Sequence, residues 1–187
     1  MNGDVKKKLP IGIDSFEKLR KNGYYYIDKT LLIRDLLNGS GEVNLFTRPR
    51  RFGKTLNMSM LREFFDINSD QSVFEGLAIS GEKAMCDEYM GKFPVVFLTL
   101  KNVEGLTYDK ACLKLLSLLH KTFRAYQFLT ESDKLSALDK QVLSDLFTND
   151  NFDYISSEGL YLLTSFISKH YDKKVIVLID EYDVPLD

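Results

Sequence analysis

The chain has 187 residues and a formal net charge of −2, with 44% hydrophobic and 28% charged residues, the balance of a globular rather than a disordered protein. That charge argues against a globally basic nucleic-acid binder, and no apolar run approaches the roughly 20 residues of a membrane span. The N-terminal MNGDVKKKLP is positively charged but has no apolar stretch behind it, so it does not read as a secretory signal.

Chain order gives an alternating α/β pattern. Residues 43–47 (VNLFT) form a short apolar run that predicts a strand. From about Lys54 to Phe65 the apolar positions Leu56, Met60 and Phe64 recur every four residues, with Leu61 and Phe65 beside them, and predict a helix. The stretch between Phe65 and Lys92, with Cys86 near its end, is irregular. Residues 93–100 (FPVVFLTL) are apolar on both parities, as in a strand covered on both faces of a parallel sheet.

Thr107 can cap a long helix striped by Ala111, Leu115, Leu119 and Phe123. A second helix from about Asp133 carries Leu135, Leu138, Val142 and Leu146, and a third opens near Ser157 and runs through Leu160, Leu163 and Ile167. Residues 175–179 (VIVLI) are the most hydrophobic strand and predict full burial. Cys86 and Cys112 lack any CxxC spacing, and His120 and His170 sit alone in helical patterns. They read as free thiols and as surface or packing residues, so no disulfide and no His/Cys metal cluster is expected.

Two segments carry chemistry. Residues 48–55 read RPRRFGKT and match the Walker A pattern G-x-x-x-x-G-K-[ST] at Gly53, Lys54 and Thr55, with Arg48 in place of the first glycine. In such a loop the glycine lets backbone approach phosphate oxygens, the lysine neutralises β- and γ-phosphate charge, and the hydroxyl serves Mg²⁺. The helix that follows points its positive end at the nucleotide. Arg48, Arg50 and Arg51 make the loop unusually basic, which general attraction for triphosphate or internal salt bridges would explain.

Residues 175–183 read VIVLIDEYD, a buried strand ending in adjacent acids, as in Walker B. There Asp180 would serve the Mg²⁺ shell and Glu181 would orient and deprotonate the attacking water. Since both ends serve one ion, Asp180 is expected within roughly 3–6 Å of the Thr55 hydroxyl. The predicted fold is the α/β P-loop NTPase three-layer sandwich with a mainly parallel sheet, N-terminal part only.

LPIGIDSFEKLRKNGYYYIDKT, FTRPRRFGKTLNMSML and VLIDEYDVPL together resemble the AAA-ATPase-like family, in which the ATPase domain is often followed by a restriction-endonuclease-like nuclease domain. The resemblance runs from about Leu9 to the last residue, and the arginine-rich loop is a habit of that family. It implies ATP with Mg²⁺ as cofactors. The binding set is Arg50, Arg51, Phe52, Gly53, Lys54, Thr55 and Leu56. Tyr26 and Ile27 join it from an adenine-contacting segment within residues 9–40. Glu181 and Lys54 would be catalytic, with Thr55 and Asp180 at the metal. Packing of Tyr24, Tyr25 and Tyr26 against a sheet edge is the alternative for that segment.

Family members continue past Walker B through further strands, a sensor and a helical lid. The expectation is therefore a cytoplasmic, non-membrane domain truncated after Walker B, with impaired turnover and self-association or another chain supplying the missing half. Nucleic acid would be bound only through domains beyond these residues. The competing functions are a nucleotide-dependent binding or scaffold module with little turnover, and a nucleic-acid binder using RPRR, which a salt titration would separate.

Overall fold

The computed structural model describes residues 7–39, 41–47, 53–105, 107–148 and 151–184. They fall into two compact units, Met1–Phe93 and Pro94–Asp187.

The first unit is helical. Helix α1 (Phe16–Lys21) starts where the Ser15 hydroxyl accepts a hydrogen bond from the Lys18 amide, and α2 spans Leu31–Asn38. Helix α3 (Lys54–Phe65) matches the predicted span and turns Met60, Leu61, Phe64 and Phe65 inward. The irregular stretch resolves into two 3-10 turns, Gln71–Phe74 and Ala78–Gly81, and helix α4 (Lys83–Tyr89). Aromatic rings hold the centre: Phe16 lies 5.1 Å from Phe74, and Phe64 meets Phe74 edge-on at 5.5 Å. Arg20 fastens α1 to the first 3-10 turn, with its Nε donating to the Val73 carbonyl at 2.7 Å and Nη2 to that of Glu75 at 2.8 Å.

The second unit runs strand β1 (Val95–Thr99), α5 (Tyr108–Arg124), a 3-10 turn (Gln127–Glu131), α6 (Ala137–Thr148), α7 (Phe152–Tyr171) and strand β2 (Ile176–Asp180). The two strands pair in parallel with Val95 opposite Ile176 and Thr99 opposite Asp180. Such a pair needs a long crossover, which the three helices supply. Val96 and Leu98 of β1 join Leu119 and Phe123 of α5, Leu143 and Leu146 of α6, and Leu163 and Ile167 of α7 in one core. Gly159 lets α5 and α7 approach, since a Cβ there would stand 2.7 Å from Phe123 Cζ.

Several expectations are corrected. The three-layer sandwich with a mainly parallel sheet is not found: helices dominate the described residues, and their sheet has two strands. Residues 43–47 form no strand; Val43 is 91% and Leu45 67% exposed, because no described segment offers that run a ladder. β2 is buried on one parity alone, leaving Val177 and Ile179 exposed.

Helix α6 begins four residues later than predicted, at a reciprocal cap. The Ser136 amide donates to Asp139 Oδ2, the Asp139 amide donates to Ser136 Oγ, and Leu138 turns outward. Helix α7 begins earlier, where the Asn151 side chain accepts from the Tyr154 amide. Thr107 caps α5 as predicted, and both cysteines are half-buried free thiols.

Candidate functional site

Gly53 has φ +75 and ψ +24, the left-handed region, and directly precedes the first residue of α3. A side chain at that torsion is strained, so the glycine is needed for its torsion. Lys54, Thr55 and Leu56 fill the first turn of α3, where helix amides lack intrahelical acceptors and the dipole is positive. Gly53 thus forms a left-handed turn into a helix whose first three residues are Lys54, Thr55 and Leu56. Arg48, Arg50, Arg51 and Phe52 lie outside the described residues.

At the carboxyl end of β2, Asp180 is 3% exposed, and its Oδ2 is buried without a hydrogen-bond partner among the described residues. A buried carboxylate oxygen left in that condition is costly unless a cation or water satisfies it. One such oxygen fits a hard divalent ion that keeps most of its waters and takes its other ligands from phosphate. Its backbone is fixed by the Leu100 amide, which donates to the Asp180 carbonyl at 2.9 Å. Glu181 follows with φ +58, uncommon for a residue with a side chain, and opens a turn closed by the Val184 amide on the Glu181 carbonyl at 3.1 Å. Non-glycine residues held there cluster at functional sites. Lys54 and Thr55 belong to the first unit, Asp180 and Glu181 to the second.

The family model described as predicted AAA-ATPase matches residues 10–187. The chain belongs to the AAA-ATPase-like family. A relative from Azotobacter chroococcum mcd 1, titled an uncharacterized protein in the vnfD 5′ region, is 44% identical over 75 residues. That match covers 40% of this chain and 14% of the relative's length. No solved structure matches.

In this AAA-ATPase-like chain the N-terminal segment is built into the first unit. The Tyr26 ring meets Phe16 edge-on at 5.4 Å, and its hydroxyl donates to Met60 Sδ at 3.4 Å, while Ile27 is 65% exposed. Burial pushes the Tyr26 phenol above its ordinary value.

Asp28 and Thr30 form a clamp not anticipated from the sequence. Asp28 Oδ1 accepts from the Thr30 amide at 2.8 Å and hydroxyl at 2.7 Å, and Oδ2 accepts from the Ala78 amide at 2.7 Å. The fully buried Thr30 hydroxyl accepts from the Ile79 amide at 3.1 Å. The 3-10 turn Ala78–Gly81 is thereby capped by residues about fifty positions earlier. Burial opposes the Asp28 charge, but the Thr30 and Ala78 hydrogen bonds outweigh it and hold the carboxyl below the usual range. An Asp-x-Thr before a helix signals a local turn; its distant partner carries no sequence signal.

Among the described residues no group of three or more His, Cys, Asp or Glu side chains could hold a metal, and no helix is long and apolar enough to cross a membrane.

Proposed function

We propose that this AAA-ATPase-like domain binds ATP with Mg²⁺ and hydrolyses it. The observation that carries the reading is Gly53 in the left-handed region immediately before a helix whose first residues are Lys54 and Thr55. A glycine so placed sets consecutive amides toward an anion. Lys54 adds a point charge for the β- and γ-phosphates, and Arg50, Arg51, Phe52 and Leu56 complete the contacts to the nucleotide.

Thr55 would offer its hydroxyl to the magnesium that accompanies the nucleotide, and Asp180 would serve a magnesium shell from the end of β2. When bound, the ion supplies charge neutralisation on the phosphate oxygens. Asp180 keeps a buried, unpartnered oxygen available for that role. Glu181, on the strained turn beyond the strand, orients the attacking water and accepts its proton as the γ-phosphoryl group transfers. Lys54 stabilises the charge that develops. Ile27, apolar and exposed, is available to an adenine face, with Tyr26 supporting the segment from behind. The cytoplasm, where ATP is supplied, is the proposed compartment.

The test separates binding from turnover. Lys54→Ala should abolish nucleotide binding or weaken it severely, whereas Glu181→Gln should bind nearly as wild type and hydrolyse at least about 10²-fold more slowly, the scale of a general base. Nucleotide affinity comes from a fluorescent ATP analogue and turnover from phosphate release. Equal loss of binding in both variants would contradict the roles assigned.

A further inference from the structure

Thr99 and Asp180 are register partners at the carboxyl ends of β1 and β2. Register partners in a parallel pair present their side chains to the same face, on strands about 4.8 Å apart. The hydrogen bond from the Leu100 amide to the Asp180 carbonyl carries the ladder one residue further, so this pair is held side by side rather than frayed. Asp180 Oδ2 is buried and unpartnered among the described residues, so the Thr99 hydroxyl, its polar neighbour by register, does not donate to it. Thr99 is exposed while Asp180 is 3% exposed. An exposed threonine is therefore the register partner of an aspartate whose buried carboxylate oxygen lacks a partner among the described residues.

We propose that Thr99 is a positioning residue for the metal, its hydroxyl and Asp180 Oδ2 sharing one water of the Mg²⁺ shell. Magnesium gives up its waters reluctantly and is held through one or two carboxylates, so a group beside the carboxylate meets hydration water rather than the ion. A hydroxyl suits that water because it both donates and accepts. The inference rests on the reading of Asp180 given above, and it adds a residue from the neighbouring strand that neither motif contains. Valine keeps the shape and β-branching of threonine and removes the hydroxyl; serine keeps the hydroxyl.

The experiment uses the full chain with ATP and Mn²⁺ as the spin-active probe, free Mn²⁺ being counted by electron paramagnetic resonance. Thr99→Val should weaken Mn²⁺ about tenfold, the lower end of outer-shell effects. It should leave binding of a fluorescent ATP analogue in EDTA unchanged, and Thr99→Ser should stay near wild type. Thr99→Ala gives the same reading should the valine variant fold poorly. Wild-type Mn²⁺ affinity in Thr99→Val and Thr99→Ala, with affinity lost in Asp180→Ala, would overturn the role of Thr99 and leave that of Asp180 standing. No ATP-dependent Mn²⁺ binding by the wild type, or unchanged binding in Asp180→Ala, would overturn both.

Discussion

Thr30 is fully buried, and its hydroxyl donates to Asp28 while accepting from the Ile79 amide. Thr30→Val preserves shape but leaves a buried amide without an acceptor, a penalty of about 1–3 kcal/mol. An unfolding free energy in urea lowered by that amount, with an unchanged slope, is the expected result; no change would mean that water replaces the hydroxyl. Asp28 adds a pH signature. Its folded pKa is depressed, so its contribution is complete above the unfolded value of about 3.9 and is lost as pH falls through the lower folded one. Because Asp28 is exposed, that contribution is of order 0.5 kcal/mol. The gap in stability between wild type and Asp28→Asn should close below pH 4; a gap that persists at pH 2 would show that the charge is not its source. Gly53→Ala tests the torsion at the phosphate turn. Among the described residues no atom beyond its chain neighbours lies within 4 Å of the added Cβ, so the expected cost is the left-handed penalty of about 1–2 kcal/mol. The turn at Gly53 and the helix start at Lys54 were legible in the sequence because the Walker A pattern sets a glycine just before a helix. The Asp28 clamp was not, because half of it lies beyond Phe74.

Helices α3 and α5 were readable from apolar spacing, and Thr107 fixed the start of α5. The starts of α6 and α7 were missed because apolar stripes continue past helix ends: Leu135 is buried although it precedes the helix that begins at Ala137. Residues 43–47 have the composition of a strand, but a strand is defined by its partner, and composition carries no partner. β1 and β2 succeed because helices α5–α7 return the chain beside its own earlier strand. Gly159 in α7 shows packing overriding propensity. Replacing a mid-helix glycine with alanine gains about 1 kcal/mol in an exposed helix. Here the new methyl would stand 2.7 Å from Phe123 Cζ and 3.1 Å from Cε2, and Phe123 is completely buried. Gly159→Ala should therefore destabilise by about 1–3 kcal/mol through overpacking. Adding Phe123→Leu should recover part of that loss, since the two residues share one space. Additive losses in the double-mutant cycle would show that the ring moves aside without cost.

At the scale of the molecule, family membership rests on residues 10–187, and therefore spans both compact units. The three-layer architecture expected from the motifs is nonetheless absent from the described residues, so the motifs and the sheet are separable facts about this chain. A ligand that binds the folded chain and not the unfolded one stabilises it by an amount set by its concentration relative to Kd, whatever the architecture. At Mg²⁺–ATP about a hundredfold above Kd the gain is about 2.7 kcal/mol. In a chain of this size that raises the melting temperature by roughly 5–11 °C. Lys54→Ala should lose this rise when each protein is compared with its own ligand-free melt, a comparison that cancels any change in intrinsic stability. If Asp180 serves the magnesium shell, Asp180→Ala should keep a smaller rise that no longer differs between Mg²⁺ and EDTA. A rise of equal size in wild type and Lys54→Ala would place the nucleotide away from the turn after Gly53. A rise in Asp180→Ala that still depends on Mg²⁺ would remove Asp180 from the metal and leave the buried Oδ2 to be satisfied by water.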